Sequence, residues 1–257
     1  MERNNGMIRA FRTAAAAAVL FMMGGCASSG AGQLEALDAD ALYAAGEDAV
    51  RAGDWRDAIE AFERFTLQFP THPRVQEARY RLGEARMHEE EYITAANEFS
   101  RLADDFPAGP WADDARFKVC EAYFELSPHP QLDQEYTRGA LDHCQSLISY
   151  YPDSEYVAQA REMMQELTNK LAEKLFQAGE FYYKRGAIDS AIIYYESAVD
   201  QYPGAVTAPR ALLRLYEAYQ ELGYTSDAET VRERLLRDFP DSAEAERVRG
   251  GAAADAG

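Results

Sequence analysis

The sequence predicts an all-α fold in which one helical hairpin is repeated five times. An aromatic residue followed by proline occurs five times, and each of these prolines stands twelve residues after an alanine. The pairs are Phe69-Pro70, Phe106-Pro107, Tyr151-Pro152, Tyr202-Pro203 and Phe239-Pro240. Apolar residues recur at helical spacing, without the sustained alternation typical of strands. Such a period indicates a helical repeat protein, whose function lies in surfaces that bind other proteins.

The spacing of the prolines predicts where the units begin. Each proline is expected to end the second helix of a unit, because it has no amide hydrogen and clashes with the preceding turn. Successive prolines are 37, 45, 51 and 37 residues apart, so one unit length recurs with two insertions. The units are expected to begin near residues 39, 76, 113, 172 and 209.

The two insertions have different characters. The shorter one falls within Ser127–Thr137, in the hairpin loop of unit three. The longer one precedes unit four and contains no proline or other break before Gly179. We therefore expect one continuous helix from Glu155 to Tyr183, about twice the normal length, between units three and four.

A small residue in the first helix and an aromatic residue in the second predict how each hairpin packs. In unit two, Gly83 precedes Ala95 by twelve residues, and Phe99 follows four residues later. The small residues let the helices approach, and the aromatic ring fills the gap on the same face one turn later. This pattern resembles the tetratricopeptide repeat, a helix–turn–helix unit of about 34 residues.

Units three and five depart from this pattern. In unit three, Cys120 takes the glycine position and Cys144 takes the aromatic position. A disulfide between them would persist in an oxidising compartment, whereas two free cysteines would also suit these positions as small buried residues. Both alternatives stay open at this point. In unit five the same positions hold Tyr216 and Arg232, as is common for terminal repeats whose outer face meets water.

The first 26 residues are typical of a bacterial lipoprotein signal sequence. Three arginines precede the apolar segment Ala14–Met23, which is too short to span a bilayer. Met23-Gly24-Gly25-Cys26 resembles a lipobox, so residues 1–25 are expected to be removed and Cys26 to be lipidated. The alternative is an ordinary secretion signal followed by a free cysteine. By resemblance to other bacterial lipoproteins, Ala27 after the cysteine favours the outer membrane.

Composition restricts the classes of function. The chain has 44 acidic and 26 basic residues, a formal net charge of −18. This charge argues against nucleic-acid binding, which requires basic surface to neutralise phosphate. No phosphate-binding loop, GxSxG or HExxH motif is present, and the four histidines are scattered. We therefore expect no enzyme, no cofactor and no metal site.

A more specific resemblance lies in residues 133–203. The segments that carry it are YPDS at Tyr151–Ser154, NKLAEK at Asn169–Lys174 and YYKRGA at Tyr182–Ala187. Together with the lipobox and the long helix, they resemble the BamD (YfiO/ComL) family, over about Leu37 to Arg247. The resemblance implies a non-enzymatic scaffold, lipid-anchored on the periplasmic face of the outer membrane. Its implied partners are a BamA-type insertase, unfolded outer-membrane β-barrel clients and other assembly lipoproteins.

A recurrent stripe on the first helices of units one to three is the candidate client site. It comprises Tyr43, Glu47, Tyr80, Glu84, Met87, Phe117, Glu121 and Phe124. In tetratricopeptide arrays such a stripe lines the concave face, where it would contact extended peptides. The alternative is that these residues form the core between units.

The resemblance also implies a division of labour along the chain. After the tether of residues 26–37, residues 38–154 would bind clients and residues 155–248 would dock partners, followed by a disordered tail at 249–257. The candidate docking residues are Tyr183, Arg185 and Tyr194. Tyr194 is nearest in register to a position where the family often has a basic residue. An alternative function is that of a periplasmic repeat adaptor that coordinates cell division with envelope constriction, although such adaptors usually lack the lipobox and the long helix.

Overall fold

The computed structural model describes residues 37–254 of the chain. These residues form eleven helices and no strand. The helices are α1 (Ala39–Ala52), α2 (Trp55–Gln68), α3 (Val75–His88), α4 (Tyr92–Asp105), α5 (Ala112–Glu125), α6 (Glu135–Tyr150), α7 (Val157–Tyr183), α8 (Ile188–Gln201), α9 (Ala208–Glu221), α10 (Thr225–Asp238) and α11 (Ala243–Ala254). The first ten pair as five consecutive hairpins, each packed on the next. The predicted all-α repeat fold is confirmed. The predicted signal sequence, the lipidation of Cys26 and the tether up to residue 36 lie outside the described residues.

The helix ends follow from local sequence. At the start of α1, the Asp38 carboxylate accepts a hydrogen bond from the Ala41 amide at 2.8 Å, which satisfies a donor that the helix leaves free. At the end of α2, the Phe69 amide still donates to the Phe65 carbonyl at 2.9 Å. The next residue, Pro70, has no amide hydrogen, so the helix cannot continue.

The two helices of a hairpin touch at the predicted glycine. In each of three units a Cβ on that glycine would meet carbon atoms of the aromatic ring at 2.4 to 2.7 Å. The pairs are Gly46 with Phe62, Gly83 with Phe99, and Gly179 with Tyr195. No side chain fits at these distances, so glycine is required for the helices to approach this closely.

Unit three replaces this contact with a covalent bond. Cys120 and Cys144 form a disulfide with an S–S distance of 2.02 Å and a Cα–Cα distance of 4.8 Å. Both residues are completely buried. They stand at the glycine and aromatic positions of the other units, so the bond joins α5 to α6 where packing alone joins the other hairpins.

The long helix α7 ends at the predicted Tyr183 and begins two residues after the predicted start. It packs against α6 on one side and α8 on the other. Midway along it, the Lys170 ammonium donates to the carbonyl and hydroxyl oxygens of Ser127, at 3.1 and 2.8 Å. The Asn169 side-chain oxygen accepts from the Val206 amide at 3.0 Å. The helix thereby holds both the insertion loop of unit three and the turn before unit five.

Helix α11 closes the array. Ala245 and Val248 are buried in the same apolar cluster as α9 and α10. The disordered tail predicted for residues 249–257 is therefore wrong up to Ala254, where α11 ends. The physical reason is that the segment continues a helix already anchored by packing, and its last three residues are alanine, the strongest helix former, which offsets the unfavourable Gly250-Gly251 pair. Residues 255–257 lie outside the described part.

Candidate functional site

The structure corrects the position of the aromatic members of the candidate client stripe. Tyr43, Tyr80 and Phe117 are only 1, 6 and 3% exposed. Tyr43 packs edge-on against Phe62 with 5.5 Å between ring centroids, and Phe117 stacks on Tyr156 at 4.6 Å. Each lies three residues before the contact position, so it faces the second helix rather than the solvent. The alternative interpretation as core is the correct one for these three residues.

Burial fixes the protonation state of these tyrosines. Burial raises the pKa of Tyr80 well above its ordinary value, and the neighbouring Glu84 and Asp114 carboxylates raise it further. The pKa of Tyr43 is raised in the same way, first by burial and then by Glu77 and Glu47. Both phenols stay neutral, so neither supplies an acid or base near pH 7.

The glutamates of the stripe lie at the boundaries between units. Arg81 contacts Glu47 of the preceding unit at 3.3 Å and Glu84 of its own helix at 2.8 Å. Lys118 contacts Glu121 at 2.6 Å. These pairs are partly exposed, so each contributes less than about 1 kcal/mol to stability and mainly orients the carboxylates.

The same arrangement recurs in the second half, where sequence reasoning missed it. Arg214 contacts Glu180 of unit four at 2.8 Å and Glu217 of unit five at 2.8 Å. The sequence contains the pattern that predicts this arrangement, because a glutamate follows the contact position in all five units. These five residues form a glutamate ladder: Glu47, Glu84, Glu121, Glu180 and Glu217.

A cleft between units two and three is a candidate binding site. Its volume is about 350 Å³. It is lined by Glu84, Met87, His88, Tyr92, Lys118, Glu121 and Glu125. Of the predicted client residues, Glu84, Met87 and Glu121 line this unit 2–3 cleft, whereas Glu47 and Phe124 lie outside it. The half-buried Phe124 instead packs in the apolar cluster around the disulfide.

Aromatic surface from unit one extends this cleft. The Trp55 ring stacks on His88 with 3.8 Å between centroids and an interplanar angle of 5°. Tyr92, at the start of α4, adds a partly exposed phenol. Its pKa is raised by desolvation and then by the negative charges of Glu90 and Glu125. Both carboxylates are therefore near enough to disfavour the ionised phenol, and Glu125 itself lines the cleft.

The predicted docking residues separate into two places. Arg185 and Tyr194 join an exposed group in which the Arg185 guanidinium lies 3.5 Å above the Phe181 ring. Tyr182 stacks on Tyr194 with 5.3 Å between centroids, and it contacts Phe181 edge-on. We call Phe181, Tyr182, Arg185 and Tyr194 the unit-four aromatic patch. Phe181 is 50% exposed, so the patch presents apolar surface to solvent.

Tyr183 does not belong to this patch. Its hydroxyl donates to the Glu221 carboxylate at 2.9 Å, and its ring packs against the core of units four and five. Desolvation and this hydrogen bond raise its pKa. Tyr183 therefore links unit four to unit five. Sequence reasoning did not name Phe181 and Tyr182 as docking residues, although Tyr182 belongs to the YYKRGA segment that carries the family resemblance.

Residues 37–254 offer neither an arranged metal site nor a membrane span. Within this range, no three His, Cys, Asp or Glu side chains are grouped to hold an ion. None of the helices described there is both long and apolar enough to cross a bilayer.

Five stacked hairpins, three of them with a glycine–aromatic contact, define a tetratricopeptide-type repeat protein with two candidate interaction surfaces. The chain belongs to the YfiO family of outer membrane lipoproteins, whose family model matches residues 35–236.

Several curated relatives carry the name outer membrane protein assembly factor BamD. The Caulobacter vibrioides protein is 27% identical over 242 residues, covering 91% of this chain and 79% of the relative. The Vibrio cholerae protein is 33% identical over 101 residues, covering 39% of this chain and 42% of the relative. Among solved structures, a TPR repeats protein from Bacteroides fragilis is 15% identical, with a TM-score of 0.47 over 84% of this chain and 98% of that one.

Proposed function

We propose that this chain is a non-enzymatic scaffold of the machinery that assembles β-barrel proteins in the outer membrane. The observation that carries this proposal is its membership of the YfiO family over residues 35–236, with relatives named as outer membrane protein assembly factors. Lipidated Cys26 would anchor the chain on the periplasmic face, because several acyl chains together give stable membrane attachment.

The unit-four aromatic patch is the proposed docking site for a BamA-type insertase. Protein interfaces draw most of their binding energy from a few tyrosine, tryptophan and arginine residues. The patch offers two stacked tyrosines and an arginine over an exposed phenylalanine. This composition suits a protein partner better than a small ligand.

The unit 2–3 cleft is the proposed site for unfolded β-barrel clients. It is open to solvent beside partly exposed aromatic and apolar side chains. An extended client segment could place individual side chains into such a cleft, with Met87 and Tyr92 as apolar contacts. The buried Tyr43, Tyr80 and Phe117 would support the cleft from within rather than touch the client.

Co-purification of the tagged full chain in mild detergent tests the docking proposal. We expect the insertase to accompany the wild type and to be lost from Phe181→Ala/Tyr194→Ala. A matched control is Tyr150→Ala, because Tyr150 is 72% exposed and lies outside both surfaces. Recovery of cell-division proteins without the insertase would favour the alternative adaptor function. Loss of the insertase from the control as well would contradict docking at the patch.

A further inference from the structure

The unit 2–3 cleft has an uncompensated negative edge. Its ladder glutamates are paired, Glu84 with Arg81 and Glu121 with Lys118. Glu125 also lines the cleft, yet it forms no ion pair in the part of the chain that the structure describes. The same holds for Glu90, in the turn directly before Tyr92. Glu125 in the cleft and Glu90 beside it therefore carry negative charges that form no ion pair within residues 37–249.

Apolar and aromatic groups lie beside these charges. Met87 and the Tyr92 ring line the cleft, and Trp55 covers the far side of His88. A cation over an aromatic face is attracted by the negative face of the ring, and a nearby carboxylate adds to this attraction. Tyr92 supplies the face, Glu125 lines the same cleft, and Glu90 stands two residues before Tyr92 in the turn that precedes α4.

The size and shape of the cleft limit what can occupy it. A volume of about 350 Å³ lies at the lower end for pockets that hold a small ligand. It therefore has room for a few side chains of an extended segment, and not for a folded domain.

We propose that the unit 2–3 cleft selects extended peptide segments in which a lysine or arginine stands next to an apolar residue. Glu90 and Glu125 hold the cation against the Tyr92 ring, and Met87 contacts the apolar neighbour. The net charge of −18 adds long-range attraction for such segments. This inference rests on the proposed client function and specifies which client segments are bound.

Two labelled peptides test the selection on the full chain in detergent micelles. Both have ten residues of glycine and serine around one central pair, Lys-Phe in one peptide and norleucine-Phe in the other. Fluorescence anisotropy measures their affinities for the wild type, Glu125→Gln and Glu90→Gln. Glu162→Gln is the matched control, because Glu162 is exposed on α7 and unpaired among the described residues.

We expect each cleft variant to weaken binding of the lysine peptide about two- to fivefold, the range for an exposed ion pair. Binding of the norleucine peptide should not change, and Glu162→Gln should resemble the wild type. Raising the salt concentration to about 1 M, where the screening length is about 3 Å, should abolish the preference for lysine.

Other outcomes separate this inference from the proposed function. Equal affinities for both peptides, each weakened by Met87→Ala, would refute the cation selection and leave client binding at the cleft intact. A preference for lysine that neither glutamine variant reduces would place the cation elsewhere and overturn the inference. If neither peptide binds, both the inference and the client role of the cleft fail.

Discussion

At the scale of single residues, the turns inside four of the hairpins show how much free energy a side chain costs in a left-handed backbone. Gly53, Gly186 and Gly223 have left-handed backbones, with φ of 78, 73 and 76°. The corresponding residue of unit two is Glu90, with φ of 60°, and it is the one non-glycine residue of positive φ in residues 37–254. A side chain in this conformation costs about 1–2 kcal/mol, so Glu90 places a local cost on unit two that the glycines of the other turns avoid.

We expect Glu90→Gly to stabilise the protein by about 0.5–1 kcal/mol. Relief of the left-handed backbone outweighs the greater chain entropy of glycine in the unfolded state. Chemical denaturation measures the difference. The neighbouring Glu89→Gly is the control and should give no gain, because Glu89 has an ordinary φ of −84°. A fall in stability for Glu90→Gly would mean that its carboxylate makes a stabilising contact, and would argue against a free charge at the cleft edge.

The residue scale also shows where sequence reasoning went wrong. Tyr80 lies three residues before Gly83, on the face that touches α4, so the helical period alone indicates burial. The resemblance to tetratricopeptide arrays, in which such a stripe lines the concave face, favoured an exposed stripe, with a core between units as the alternative. Tyr92 and Glu125 were not predictable as site residues, because they reach the cleft from different helices and only the stacking of units brings them together.

At the scale of helices and hairpins, the sequence was more informative. Proline, glycine and the aromatic position act within one unit, so their spacing predicts the hairpins and their central contact. The long helix was predictable for the same reason, because its continuity depends on the absence of a local break. The contacts of the long helix to the insertion loop and to the turn before unit five were not predictable, because these contacts join segments about 40 residues apart.

At this scale we predict how much the disulfide of unit three contributes to stability. This disulfide occupies the position at which other units pack a glycine against an aromatic ring. A cross-link that closes a separation of 24 residues contributes about 3 kcal/mol, chiefly by restricting the unfolded chain. We expect Cys120→Ser/Cys144→Ser to lose about this much stability. Cys120→Gly/Cys144→Phe should recover part of the loss, because it restores the contact made by Gly83 and Phe99.

Denaturation with and without reductant distinguishes these variants. Reductant should destabilise the wild type and leave both double variants unchanged. Equal stability of the serine and the glycine–phenylalanine variants would show that unit three no longer accommodates the packing used by its neighbours. A wild type that reductant does not destabilise would contradict a stabilising role for the bond.

At the scale of the whole molecule, one candidate surface comes before the long helix in the sequence and the other comes after it. The unit 2–3 cleft precedes α7, and the unit-four aromatic patch begins at its end and continues onto α8. Contacts from Lys170 and Asn169 brace α7 against segments on both sides of it. Client binding and partner docking would therefore occur on one continuous scaffold, with the proposed lipid anchor at Cys26 as a third, separate attachment.

The last prediction separates the anchor from the docking surface. Cys26→Ser removes the proposed site of lipidation without touching residues 37–254, so the far-ultraviolet circular dichroism of the helices should not change. Insertase docking alone would still retain some protein in the membrane fraction. Combining Cys26→Ser with Phe181→Ala/Tyr194→Ala should release it to the soluble fraction, whereas the patch variant alone should stay attached through its lipid. Fractionation of the four proteins measures each contribution. Full retention of the combined variant would show a third attachment and contradict this account, and release of the lipidated patch variant would show that the anchor is not sufficient.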